Sequence, residues 1–333
     1  MGTALGFDTS CYTTSVALAR DGQILASRRR LLTVEQGGRG LMQSEGVFQH
    51  ETRLPELVEE LMKEAGVQKI DAVGASTRPR PVDGSYMPVF TVGEGYGRGM
   101  AAVLGVPFLA TSHQEGHIRA ALTDTSLTYG EDMLAVHLSG GTTEVVHMRP
   151  AEGEYTAAYS SGAACRAAGG KHAQLELIGG SNDLHAGQFV DRVGVRLGLG
   201  FPAGPALEQM AMRGTAQARL PIWVRGCECS FSGSESAAQR LIDSGEISPD
   251  DMAAEVFSCI ARSLAKVLAA AGEQTGVKRV LLAGGVASST YLRELLPARL
   301  KKMNVKMKLH WGRPELSGDN ACGVALLASE TEV

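Results

Sequence analysis

The chain has 333 residues, 44% of them hydrophobic and 20% charged, and its formal net charge is −4. That length supports two domains with sizeable cores, and the composition excludes a disordered or collagen-like chain. The negative balance excludes a global basic field for nucleic acid, so any RNA contact needs a local patch.

Thr3-Ala-Leu-Gly-Phe-Asp-Thr-Ser predicts a first strand that stops at an acidic-hydroxyl turn. Thr14 to Arg20 predicts a second, and Asp21-Gly22 a hairpin into a third at Gln23 to Ser27. Leu54, Leu57, Val58, Leu61, Met62 and Ala65 recur at helical spacing and end at Gly66. Ile70 to Ala75 reads as a strand, Gly93 to Leu104 as a helix closed by Gly105, and Val106 to Ala110 as a strand leading into a histidine-bearing helix. The order then repeats. Met133 to Leu138 predicts a strand, Ser139 to Thr142 a tight turn, Thr143 to Met148 a second strand, and Glu152-Gly153 a turn into a third. Helices follow at Gly187 to Leu197, Gly204 to Met212 and about Asp250 to Ala271. A strand at Val277 to Ala283 meets Gly284-Gly285, a helix runs from Ser288 to Leu296, and a last helix from Gly318 to Ser329 is capped by Ser317 or Asp319.

The pattern is two copies of three strands followed by helices and strands. It predicts an α/β protein with two mixed-sheet lobes of the sugar kinase, heat-shock protein and actin type, split as residues 1–125 and 126–317. The helix near 318–333 is then expected to pack back on the first lobe. Hairpin amides of both lobes would face a shared cleft and take anionic groups there. The competing reading is two unrelated α/β domains. The 41 glycines, many ending apolar runs, suit tight loops near ligands. Six cysteines occur without a C-x-x-C pair, and Cys227-Glu-Cys229 is too tight for a zinc knuckle, so reduced thiols are expected. No apolar run spans a bilayer and no leader pattern precedes the first strand, so a cytoplasmic location without membrane contact is expected.

His113 and His117 lie four residues apart, which on a helix puts both imidazoles on one face, one turn apart, where they can share a metal ion. A metalloprotease box needs Glu directly after the first His, and Gln114 stands there. The pair therefore reads as a metal clamp without a peptidase base, or as two helix-surface histidines near a turn. Arg28-Arg29-Arg30 is either a phosphate contact or a solvated strand end, and the basic run Arg299, Lys301, Lys302, Lys306 and Lys308 reads as a solvated face.

Several stretches, in order along the chain, resemble the TsaD-like family of tRNA adenosine threonylcarbamoyltransferases, formerly called glycoproteases. Phe7-Asp8-Thr9-Ser10-Cys11 resembles its "ETSC", His113 to His117 its "HLEGH", and Leu138 to Thr143 its "VSGGHT". Gly187 to Asp191 and Leu197 to Glu208 resemble "GEAFDK" and "LGLGYPGGPALE". Ser230 to Gly233 resembles "FSFSG", Leu282 to Ala287 resembles "GGVAAN" in part, and Ser317 to Ala321 resembles "CTDNAA". The resemblance implies one divalent transition metal, iron or zinc, on His113, His117 and Asp319. It places His137 where archaeal relatives carry a Tyr near the metal, so its imidazole is a candidate fourth ligand. It also implies an adenine nucleotide or threonylcarbamoyl-AMP, held by His137, Leu138, Ser139, Gly140 and Gly141 on the phosphate side. Asp191, Gly204, Glu208 and Ser289 fall on the nucleoside side. The implied reaction moves a threonylcarbamoyl group from its adenylate to adenosine in tRNA, and the implied partner is a TsaB-like protein or a second copy.

Departures from the family pattern gather in the same motifs. Tyr12-Thr13 replaces Asp-Glu, Arg78-Pro79-Arg80 replaces Gly-Pro-Gly, Glu235 replaces Lys, and Ser289 replaces Asn. With two carboxylates gone, Asp8 and Glu115 are the candidates for a base that takes a proton from the adenine amine. Asp8 reads equally well as a turn cap, and Glu115 as a solvated helix residue. The departures point to a divergent paralogue with weakened or altered activity. They leave open a carbamoyl transferase acting on a small molecule, or a non-catalytic metal- and nucleotide-binding regulator or scaffold.

Overall fold

The computed structural model describes residues 2–10, 12–34, 41–82, 84–151 and 173–330. Cys11 and the turn expected at Glu152-Gly153 lie outside the described residues. The chain divides into two units. The first runs to Tyr129 and takes back the C-terminal stretch from Gly318, and the second holds Gly130–Arg149 and Gln174–Ser317.

In the first unit, β1 (Thr3–Asp8), β2 (Thr13–Arg20) and β3 (Gln23–Leu31) form the antiparallel meander that the Asp21-Gly22 hairpin predicts. β4 (Ala72–Arg78) joins β1 in parallel and β5 (Phe108–Ser112) joins β4 in parallel, giving the order β3-β2-β1-β4-β5. β1 is buried along its whole length because both faces of the sheet are covered. Leu5 and Phe7 join the core with residues of α1 (Gln43–Ala65) and α2 (Phe90–Leu104). Ala4 joins Ala72 and Ala328, the last from α9 (Cys322–Ser329). Strand alternation then puts Asp8 on the α9 face. Val324 and Leu326 of α9 are fully buried, each contributing about 1.5–3 kcal/mol relative to exposure.

The second unit repeats the plan. β6 (Met133–Leu138) pairs antiparallel with β7 (Thr143–Pro150) and parallel with β11 (Arg279–Ala283), which pairs parallel with β12 (Lys308–Trp311). With β8 (Ala173–Ser181), β9 (Trp223–Arg225) and β10 (Glu228–Ser230) the order is β12-β11-β6-β7-β8-β10-β9. Reading β8-β7-β6-β11-β12 against β3-β2-β1-β4-β5 recovers the same order of strands in each unit. The second core centres on α7 (Pro249–Thr275), whose Ser248 cap accepts from the Asp251 amide and whose end is set by Gly276. Around it lie α4 (Ala186–Arg196), α5 (Gly204–Ala211), α6 (Ser232–Ser244) and α8 (Thr290–Lys302).

Several boundaries differ from expectation, and β3 runs on to Leu31 rather than ending at Ser27. α1 begins at Gln43 rather than Leu54, because Gln49 and His50, both polar, occupy its buried face, and it continues through Pro55. α8 runs past Pro297 to Lys302. α9 begins at Cys322, and neither Ser317 nor Asp319 caps it: Ser317 Oγ donates to the Arg313 carbonyl, and Asp319 turns to the histidines.

Candidate metal centre

Ser112 ends β5 and caps α3 (His113–Ala121). Its hydroxyl accepts from the Glu115 amide at 3.2 Å, and Glu115 Oε2 accepts from the Ser112 amide at 2.8 Å, a reciprocal capping box. Glu115 Oε2 also accepts from the hydroxyls of Ser112 and Thr111. The carboxylate weighed as a base is thus engaged in starting the helix, and the Ser-x-x-Glu spacing that signals this is present in the sequence.

That start fixes His113 and His117 one turn apart. α9 closes on the same helix because Gly323 has no side chain: a Cβ there would lie 1.8 Å from the Gly116 carbonyl oxygen. The approach carries Asp319, in the turn before α9, to the imidazoles. His113 Nε2 and His117 Nε2 are 2.9 Å apart, His117 Nε2 is 3.3 Å from Asp319 Oδ1, and His113 Nε2 is 3.6 Å from it. A divalent ion with bonds of about 2.0–2.2 Å separates neighbouring ligands by about 3.0 Å in an octahedron and about 3.4 Å in a tetrahedron. The three separations bracket those values, and two imidazoles with one carboxylate form a donor set that suits iron or zinc, so the residues fit the ion.

Asp8 stands behind the cluster at the end of β1. Its Oδ2 meets His113 Nδ1 at 2.8 Å and accepts from Ser76 Oγ at 2.6 Å, while Oδ1 accepts from the Ser10 amide at 3.0 Å. An Nδ1–H donated to Asp8 leaves the Nε2 lone pair directed at the other two donors. Burial alone would raise the Asp8 pKa, but His113 outweighs it and holds the carboxyl below its usual range. Burial likewise opposes charge on His113 and Asp319. Asp8 and Asp319 hold His113 well above the ordinary imidazole value, and the two histidines hold Asp319 well below the carboxylate range. A fully buried, ionised and thrice-bonded Asp8 is a poor proton acceptor, so its surroundings suit orientation of His113 rather than a base. Ser76 was not anticipated, because nothing local marks it: only the parallel pairing of β1 with β4 brings it to Asp8. His50 was also missed. It is buried on α1, its Nδ1 lies 2.8 Å from Thr14 Oγ1, and its Nε2 has no hydrogen-bond partner.

The remaining expected residues lie in the second unit. His137 is the penultimate residue of β6, opposite Glu144 and Ala283. Leu138, Ser139, Gly140 and Gly141 lead into the turn closed by the Ser139 amide and the Thr142 carbonyl at 2.8 Å. A chain of contacts links the rest. The Gly187 amide donates to the Ser139 carbonyl, and a Cβ at Gly187 would lie 2.5 Å from that oxygen. Asp191 Oδ1 accepts from the Ala203 amide at 2.8 Å, one residue before Gly204 begins α5. Glu208 Oε1 accepts from Ser289 Oγ, Thr290 Oγ1 and the Tyr291 amide, fastening α5 to the start of α8, and the Val286 amide donates to the Leu138 carbonyl. The contacts close a ring around the ends of β6 and β11 in which α4, α5 and α8 all begin. Ser289 therefore caps α8 as well as binding Glu208. Against the effect of burial, the Ser230 and Ser232 hydroxyls hold Asp183 at about 2, tying that serine stretch to the end of β8.

Comparison with known proteins gives the family and the fold. The profile of the family described as TsaD, tRNA N6-adenosine threonylcarbamoyltransferase, matches residues 33–160 and 152–326. A tRNA N6-adenosine threonylcarbamoyltransferase of Thermus thermophilus is 33% identical over 334 residues, covering 97% of this chain and 91% of that protein. A probable bifunctional tRNA threonylcarbamoyladenosine biosynthesis protein of Methanothermobacter thermautotrophicus is 28% identical over 97% of this chain and 54% of its own. Among solved structures, HypF of T. kodakarensis superposes with a TM-score of 0.58 at 16% identity, covering 99% of this chain and 47% of that one. A ROK family glucokinase from Streptomyces griseus superposes with a TM-score of 0.51 at 12% identity over 99% of each chain. The last two show the fold, which is the duplicated sugar kinase type. By profile and by relatives, the chain belongs to the tRNA N6-adenosine threonylcarbamoyltransferase family.

Proposed function

We propose that this chain is a metal-assisted transferase that moves a threonylcarbamoyl group from threonylcarbamoyl-AMP to adenosine in tRNA. The observation that carries the reading is the convergence of His113, His117 and Asp319, with Asp8 fixing the tautomer of His113. A divalent ion bound there supplies Lewis-acid polarisation of a carbonyl or phosphoryl oxygen. The chain's own residues supply the rest. Asp8 orients His113, Ser76 and the Ser10 amide hold Asp8, and the capping box fixes the helix that carries both histidines. In the second unit, the turn at Ser139 to Gly141 and the starts of α4, α5 and α8 offer backbone amides to an anionic nucleotide. The second oxygens of Asp191 and Glu208 are suited to ribose hydroxyls.

No side chain assigned here acts as the base for the adenine amine. Tyr12 is part-exposed and Thr13 buried where the family pattern has carboxylates. Rate therefore rests on positioning and on stabilising the leaving AMP, and transfer by the isolated chain is slow or depends on a TsaB-like partner. The test is transfer of labelled threonylcarbamoyl from its adenylate to tRNA, by the chain alone and with such a partner. Product with either, abolished in a His113→Ala, His117→Ala double variant that lacks metal, supports the reading. AMP release without modified tRNA favours a small-molecule acceptor, and binding without AMP release favours a scaffold.

A further inference from the structure

β3 carries Arg28, Arg29 and Arg30 in succession, and strand alternation divides them. Arg28 pairs with Glu64, and Arg30 with Glu56 and Glu60, all three glutamates on α1. Arg29 is in register with Ser15, which is in register with Asp8, so it faces the side of the sheet covered by α9. Its guanidinium lies against Gly318, with Nη1 3.0 Å from where a Cβ would stand, next to Asp319 of the triad. Across the sheet, Arg78 ends β4 opposite Ser112, the residue before His113. The segment after it is tied to the first turn of α3 by the Gln114 amide donating to the Pro79 carbonyl at 3.1 Å. Arg78 Nε is shielded from solvent and has no hydrogen-bond partner. Among the described residues no carboxylate pairs with Arg29 or Arg78, whereas Arg28 and Arg30 are neutralised.

We propose that Arg29 and Arg78 flank the His113–His117–Asp319 cluster as an oxyanion-recognition pair that receives a phosphate or carboxylate group of the molecule brought to it. The proposal rests on the reading of that cluster as the reaction centre. β3 and β4 are separated by β2 and β1, three strand spacings or about 14 Å, with Asp8 on a strand between them. That spacing leaves room for one oxyanion-bearing ligand between the two strands. A solvent-shielded guanidinium nitrogen without an acceptor is costly, and an oxyanion supplies the missing acceptor and the charge. The pair also explains a departure in the sequence: Arg78 adds a cation where the family pattern has glycine, on the strand that holds Asp8 through Ser76. Arg78 would then strengthen the hold on an anionic group of the ligand beyond what the family's motif offers.

The test is calorimetric titration of the purified full chain with inorganic phosphate and, separately, with N-carbamoyl-L-threonine, which presents a carboxylate. Wild type is compared with Arg29→Gln, Arg78→Gln, their double variant and Arg30→Gln, with metal content and melting temperature recorded for each. The expected result is a ten- to hundredfold loss of affinity for at least one probe in each single variant and a larger loss in the double, with Arg30→Gln unchanged. The probe affected identifies the oxyanion as phosphate or carboxylate. Arg29→Lys and Arg78→Lys, which keep charge and stem, cover the case in which a glutamine variant fails to fold and should recover part of the affinity. Variants that bind both probes as wild type does, or a wild type that binds neither, overturn the pair. Metal content judges the cluster separately, so the two ideas fail independently.

Discussion

Replacing Asp8 with Asn should weaken metal binding without unfolding the chain. The side chain is fully buried, and Asn has its shape, so packing is kept. Oδ1 accepts from the Ser10 amide, a donor that cannot turn, so the Asn oxygen must stay there and its amide nitrogen takes the place of Oδ2. That nitrogen is a donor facing His113 Nδ1 across 2.8 Å. It favours the tautomer with its proton on Nε2, the nitrogen that faces His117 and Asp319. Metal binding must then reverse the tautomer and forgo the negative charge behind the imidazole. Losses of this kind cost about 10- to 100-fold in affinity, or about 1.4–2.7 kcal/mol. Zinc affinity measured by competition with a chromophoric chelator, at fixed pH, reads the effect directly. The His113→Ala variant, which removes a donor, should lose more. An Asp8→Asn protein with wild-type zinc affinity would refute the assignment of Asp8 to His113.

Other expectations follow from single contacts. Gly323→Ala forces a Cβ into the Gly116 carbonyl, and overpacking of this kind costs about 1–3 kcal/mol. Denaturant melts should show that loss together with reduced metal content, since α9, and with it the turn that holds Asp319, must retreat. Burial pushes the His50 pKa down to about 4. The unfolded chain takes up a proton near pH 6.5 that the folded one refuses, so His50's contribution is complete above about pH 6.5 and is lost as pH falls toward 4. The loss reaches about 3 kcal/mol, and a His50→Gln variant should show a shallower pH dependence of stability over that range. Glu208→Ala removes the acceptor for three donors at the start of α8, and should lower stability by about 1–3 kcal/mol and weaken AMP binding. Melts that match wild type would show that α8 keeps its start through Ser289 alone.

Much of the architecture was legible along the chain because its signals are local. The apolar run of β1, the Asp21-Gly22 hairpin and the capped, apolar-faced α7 each need only neighbouring residues to specify them. Boundaries were misread where polar groups point inward, as at Gln49 and His50, or where a helix continues through proline, as at Pro55 and Pro297. Asp319 reads locally as a helix cap, and its actual partners lie about 200 residues away.

The same division holds in the site. The spacing of His113 and His117 follows from the helical repeat, and the Ser112–Glu115 box that starts their helix is written in four consecutive residues. Local bonds to Ser112 assign Glu115 to the cap. The job of Asp8 is not written locally, because a carboxylate reads the same in sequence whether it caps a turn, orients an imidazole or faces solvent, and only burial and long-range pairing assign it to His113. The three arginines of β3 are chemically identical in sequence. Strand alternation sends Arg28 and Arg30 to α1, and only the packing of α9 on the other face gives Arg29 its place beside Gly318.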